Sequence, residues 1–278
     1  MKYCMMAGSV ALLTTLGAIR GEADVLLLES FEYADGDSLD ASNGGAGFAS
    51  AWSGDKALKI RERSYSYTDS SGNELTTAGL SVLGVGSDKK VVRDIAPSTF
   101  AGKTDIWASF GLDAATNGRV SVSVDEKVFF GQGNLSAGAT NWGVSDDSSQ
   151  IADSGLEASG SAFLVSRLSV DGDGKIQSVW AWLNPTLDST PLLSDSFTGA
   201  GGVNVSGLGA TFSKITVALK DGDGSTESFI SEIRFGDTFA DVTGFAPGTA
   251  VPEPAHWLLI GAGLLFVIRR RHRATTQS

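Results

Sequence analysis

The chain has 278 residues, a formal net charge of −11, 42% hydrophobic residues, 35 glycines, one cysteine and two histidines. That hydrophobic share supports a buried core and excludes disorder for most of the length, and glycine plus proline stays short of low-complexity levels. The acidic balance excludes nucleic acid as a partner, because phosphates demand a basic face.

Residues 1–23 read as a secretory signal. Lys2 supplies the basic start, and Tyr3 to Ile19 is mostly apolar and small, without a charge. Cleavage is expected after Ala23, in the small-x-small Gly21-Glu22-Ala23, although Arg20 and Glu22 leave the bond open by a few residues. Cys4 lies ahead of the apolar stretch, so it is not placed as a lipid-modified cysteine.

The body, residues 24–245, reads as strands throughout. Alternation with period two runs through Ile106 to Leu112 and through Val120-Ser121-Val122-Ser123-Val124, where valine faces one way and serine the other. Phe163-Leu164-Val165, Ile176 to Leu183, Ile215 to Leu219 and Phe229 to Phe235 continue it, with Gly, Asn, Asp and Ser clusters between. Two strand–turn–strand units are expected. In one, Phe163–Val170 and Lys175–Leu183 flank Asp171-Gly172-Asp173-Gly174; in the other, Thr211–Lys220 and Ser225–Phe235 flank Asp221-Gly222-Asp223-Gly224. No internal window shows helical periodicity. Roughly ten to fourteen short strands predict an all-β fold, a single β-sandwich or jelly roll.

The linker spans residues 246–251. Beyond it, Ala255 to Ile268 is apolar except for His256, and Arg269, Arg270, Arg271 and Arg273 follow at once. Fourteen helical residues rise only about 21 Å against a hydrocarbon core of about 30 Å. A span therefore needs help from residues 251–254 or from a thin bilayer. The arginines stay cytoplasmic by the positive-inside rule, with the body on the other side.

Val251-Pro252-Glu253-Pro254, the short apolar helix and the arginine cluster together resemble the PEP-CTERM sorting signal of Gram-negative bacteria, here residues 252–273. The resemblance implies recognition of Pro252-Glu253-Pro254 by an exosortase, a membrane-embedded cysteine transpeptidase. It also implies a place in an envelope or extracellular-polymer system. An ordinary C-terminal anchor behind a Pro-containing linker is the plainer alternative. Fragments of the body are similar to other PEP-CTERM proteins: Glu29-Ser30-Phe31-Glu32-Tyr33, Asn43-Gly44-Gly45-Ala46-Gly47-Phe48 closed by Trp52, Trp182-Leu183-Asn184-Pro185, and Ser231 to Val242. These imply a concanavalin A-like or laminin-G-like sandwich.

Between the two ends lie 15 basic and 30 acidic residues, with no cysteine and no histidine. The body therefore has no disulfide framework, no thiol nucleophile, no Cys-ligated metal and no His-dependent base or triad. Asp171, Asp173, Asp221 and Asp223 offer hard oxygens at alternate positions, which suits calcium. An EF-type loop counted from Asp221 has Thr226 where Gly belongs, and from Asp171 it meets Lys175 at position five, so plain turns are the simpler reading. No other cofactor is implied. The Glu-x-Asp-x-Glu triplet of sandwich-type glucanases is absent, and Glu29 and Glu32 would face opposite sides of a strand, so a glycosidase is the least supported reading. Trp142, Trp180 and Trp182 are the candidate glycan-stacking residues, with Trp142 expected to be exposed in a loop, against core packing for Trp180 and Trp182. The expectation is an exported, non-enzymatic component of the envelope or extracellular matrix, with a lectin-like glycan-binding module as alternative. Its partners would be an exosortase, the membrane and extracellular polysaccharide.

Overall fold

The computed structural model describes residues 25–77, 80–84, 88–116, 118–132, 140–220 and 227–245. Its strands begin with β1 (Val25–Glu29), β2 (Ser53–Gly54), β3 (Lys59–Glu62), β4 (Ser66–Thr68), β5 (Glu74–Thr76) and β6 (Leu80–Leu83). There follow β7 (Lys89–Asp94), β8 (Asp105–Ala114), β9 (Arg119–Val124), β10 (Val128–Gly131), β11 (Asn141–Ser145) and β12 (Gln150–Glu157). The series closes with β13 (Gly160–Val170), β14 (Ile176–Leu183), β15 (Val203–Asn204), β16 (Lys214–Lys220), β17 (Phe229–Gly236) and one short helix, α1 (Phe239–Thr243).

These strands build two antiparallel sheets and a small β4–β5 hairpin. The larger sheet runs β15-β14-β13-β8-β17-β6-β3, with β1 pairing β17 beyond the reach of β6; the smaller runs β12-β11-β10-β9-β16-β7-β2. The longest seam of the larger sheet is β8 against β13, from Gly160 opposite Ala114 to Ser169 opposite Asp105. The alternation of β9 works as its sequence dictates: Val120, Val122 and Val124 are fully buried in the core between the sheets. There Phe110 stacks on Phe130 at 5.2 Å and meets Phe235 edge-on at 5.9 Å. A second apolar cluster, including Trp107, Phe163, Trp182, Phe239 and Val242, covers the outer face of the larger sheet.

The first expected hairpin is present as β13–β14, joined through residues 171–175. The second is not a hairpin. β16 lies between β7 and β9 in the smaller sheet, whereas β17 lies beside β8 in the larger one, so the two strands belong to different sheets. Two core-facing strands with similar alternation look the same in sequence whether they share a sheet or face each other. Helix α1 is a further difference. Thr238 and Asp241 form a reciprocal capping box around its start, and Gly244 ends it at φ 72°.

The glycines of 43–48 have a steric cause. Gly45 and Gly47 have φ of 69° and 82°, and a Cβ there would lie 2.2 Å from the Leu28 carbonyl oxygen and 2.5 Å from that of Leu26. Only glycine lets this loop lie flat along β1. The terminal segments 1–23 and 252–273, with the expected signal and sorting helices, lie outside the described residues. Among the described residues, no helix is long and apolar enough to cross a membrane.

Candidate functional site

The most deeply buried ion pair is built on Glu29 at the end of β1. It is 1% exposed and faces Arg93 of β7, which is 2% exposed, with Arg93 Nη1 at 2.6 Å from Glu29 Oε2. Trp52 Nε1 donates to the same oxygen at 2.8 Å and the Tyr33 hydroxyl at 3.0 Å, while the Phe31 N–H donates to Oε1 at 2.9 Å. Arg93 also donates to the Ser50 carbonyl and to Asn43 Oδ1, and its guanidinium sits 3.9 Å over the Phe48 ring. The N-terminal fragments singled out in sequence are thus one buried clasp that fastens the 29–52 segment to the smaller sheet. Four protein donors converge on the Glu29 carboxylate and Arg93 reaches three acceptors, so the cluster ties these segments together. Glu32 is exposed, so the two glutamates do separate.

The clasp has a pH signature. Burial first, then the charge and hydrogen bond of Glu29, push the Tyr33 phenol up from 10.0 to about 12. Its folded pKa lies above its unfolded one, so the stabilisation is complete below pH 10 and is lost as pH rises through about 12. Spectrophotometric titration of the phenolates should show a late-ionising fraction that shrinks in the Tyr33→Phe variant, while Tyr65 and Tyr67, pushed up chiefly by burial, stay late. A late fraction unchanged by Tyr33→Phe would contradict the clasp.

Of the three candidate stacking residues, Trp142 and Trp182 are buried and Trp180 is not fully so. Trp142, expected exposed, is 3% exposed: residues 141–145 form β11, not a loop, and period two sends Trp142 and Val144 into the core. Trp182 is also 3% exposed; it stacks on Trp107 at 5.5 Å, and its Nε1 donates to the Leu192 carbonyl. Trp180 shares that face and is half-buried, with Nε1 donating to the Ala200 carbonyl at 3.0 Å and Arg167 5.4 Å from its ring.

The 171–174 turn lines a cleft of about 570 Å³ at one end of the sandwich, a size suited to a small ligand. Its floor is aromatic. Phe100 and Phe212 lie 4.4 Å apart, both half-buried, and each packs against buried Phe235. Lys103, Asp171, Asp173, Thr211 and Ser213 form part of the polar rim. Phe100 and Phe212 were not legible as a pair, since each is a lone aromatic beside turn residues in a different part of the chain. Asp171 spends its oxygens on the turn: Oδ1 accepts the N–H groups of Asp173 and Lys175 at 2.9 Å each, and Oδ2 accepts from Gln177 at 2.7 Å. Asp173 points outward, 82% exposed. A cation at Asp171 would have to displace these bonds, and Asp221 and Asp223 lie outside the described residues. Among the described residues no three His, Cys, Asp or Glu side chains converge as a metal site.

Val251, Pro252, Glu253, Pro254 and the four arginines also lie outside the described residues, but their sequence decides the relationship of the chain. Residues 250–273 match the PEP-CTERM protein-sorting motif. The chain carries a PEP-CTERM sorting signal. That signal implies export and processing by an exosortase. No curated protein matches the chain. Among solved structures, the carbohydrate recognition domain of Emp46p aligns at 8% identity and a TM-score of 0.34 over 56% of this chain and 82% of that one. The Ca²⁺- and mannose-bound exoplasmic domain of VIP36 aligns at 9% identity and 0.33, over 66% and 84%. A botulinum neurotoxin type C structure aligns at 10% and 0.37, over 76% and 50%. At that level of superposition they say nothing of what this PEP-CTERM chain binds.

Proposed function

We propose that this PEP-CTERM protein is a non-enzymatic component of the cell surface or extracellular matrix. In this reading the signal is removed near Ala23, the sandwich 24–245 is delivered outside, and the apolar helix 255–268 holds the precursor at the membrane with its arginines inside. An exosortase then acts at Pro252-Glu253-Pro254. The match of the sorting motif over residues 250–273 carries this reading. A hydrolase is disfavoured by the chemistry of the body, where the buried carboxylate Glu29 is consumed by Arg93, Trp52, Tyr33 and a backbone N–H.

A glycan-binding role is the second reading, favoured by the Phe100–Phe212 floor of the cleft beside hydroxyls and carboxylates. Flat apolar rings accept the C–H faces of a sugar while the rim bonds its hydroxyls. The concanavalin A-like arrangement and calcium at Asp171 and Asp173 belong to this same reading. The exported protein screened on a glycan array, with and without calcium, should bind through the cleft. Phe212→Ala should then weaken binding by about tenfold or more, the scale of a lost aromatic anchor. The same preparation should release no sugar from a polysaccharide panel. Turnover abolished by one carboxylate substitution would refute the non-enzymatic reading, and binding unchanged by Phe212→Ala would refute the cleft.

A further inference from the structure

The cleft floored by Phe100 and Phe212 has a hydrogen-bonding polarity of its own. Among the described residues, its lining brings one ammonium, Lys103, and two carboxylates, Asp171 and Asp173. Lys103 is turned to Asp237, with Nζ 2.5 Å from Oδ2. Thr211 and Ser213 both donate their hydroxyl hydrogens to Asp125, on the turn between β9 and β10. What these two hydroxyls leave for a ligand is therefore oxygen lone pairs. Asp171 is occupied by its own turn. Asp173 differs. Its carboxylate is 82% exposed, and the half-exposed Lys175 comes only to 4.0 Å. A pair between groups so exposed is weak and yields readily to another cation. The rim is thus weighted toward acceptors and negative charge, above two aromatic rings.

We propose that the cleft takes a protonated amino sugar, as presented by a partly de-N-acetylated polysaccharide, with the ring on Phe100 and Phe212 and the ammonium toward Asp173. This rests on the glycan-binding reading of the cleft and narrows it to one class of sugar. An ammonium brings donors and no acceptors, the complement of this rim. A phenyl face also attracts a cation through its quadrupole. An N-acetyl group would remove the charge and bring a carbonyl oxygen to a rim already rich in acceptors. A uronate would meet Asp173 as a like charge.

The floor favours a sugar over a lysine side chain, which carries the same ammonium. The two rings lie 4.4 Å apart and tilt by 40°, so together they offer an apolar surface wider than one ring. A pyranose covers such a surface with its C–H face. A lysine stem is a single methylene chain and would leave much of a cleft of about 570 Å³ unfilled. The excess of 30 acidic over 15 basic residues between the two ends of the chain adds a field that draws a cationic polymer toward the protein.

Calorimetric titration of the full chain tests this at low ionic strength and about pH 6, where amines and carboxylates are both charged. The probes are β-1,4-linked hexamers of glucosamine, N-acetylglucosamine and glucose, and hexalysine. The glucosamine hexamer should bind about tenfold more tightly than either neutral hexamer. Asp173→Asn should weaken it about fivefold and leave the neutral hexamers unchanged. Asp188→Asn, exposed and outside the cleft, should change nothing. Phe212→Ala should weaken all three sugars. Neutral hexamers that bind through Phe212 as tightly as the glucosamine hexamer would overturn the amino-sugar inference and leave the glycan reading standing. Hexalysine bound as tightly as the glucosamine hexamer would overturn it too, as would equal losses from Asp173→Asn and Asp188→Asn. Failure of every sugar to bind, or binding indifferent to Phe212→Ala, would overturn the inference and the glycan reading together.

Discussion

Arg93→Ala should destabilise the sandwich by about 3–5 kcal/mol, the cost of stranding one member of a buried ion pair. Glu29 would keep its carboxylate at 1% exposure with only the Trp52 and Tyr33 donors and one N–H to hold it. Because Arg93 also bonds the Ser50 carbonyl and Asn43, the 43–50 loop would lose its tether to β7. Arg93→Lys should recover only part of the loss, since one ammonium cannot serve three differently placed acceptors. Equilibrium denaturation of both variants measures this. A loss below about 1 kcal/mol for Arg93→Ala, the range of an exposed pair, would show that the clasp does not form.

Phe235→Ala should cost a comparable amount, about 3–5 kcal/mol, for a phenylalanine lost from a closed core. Its ring is fully buried and in contact with Phe110, Phe100 and Phe212, so it joins the core between the sheets to the floor of the cleft. The variant should therefore weaken ligand binding at the cleft as well as stability. Phe212→Ala, on a half-exposed ring, should cost less stability while weakening binding by a similar factor. Denaturation midpoints with unchanged slopes would separate the two effects. A Phe235→Ala protein as stable as the parent would mean that the sheets do not close over this ring.

The strand pattern was legible because period two is a local property. Val120, Val122 and Val124 point inward whatever the rest of the fold does. Partner choice is not local, which is why β16 and β17 read as a hairpin although they belong to opposite sheets. Trp142 was misread for a related reason. Its Asn and Gly neighbours signal a loop, yet pairing of β11 with β10 and β12 overrides their weak preference. Glu29 and Arg93 lie 64 residues apart, and no spacing rule joins them. Their relation appears only when β1 and β7 are brought together. The cleft is equally hidden, since Phe100 and Phe212 come from separate loops. The sorting signal, by contrast, is a linear motif read by another protein and is legible without any fold.

Processing of that signal is tested directly by the mass of the protein recovered from its native host. The wild-type chain should be found shortened at its C-terminus and released from the inner membrane. A variant with Pro252→Ala, Glu253→Ala and Pro254→Ala should insert as before, because alanine suits both helix and bilayer, and should stay full-length behind the signal cleavage site. An identical uncleaved, membrane-bound product from both chains would contradict processing and leave residues 252–273 as a plain anchor.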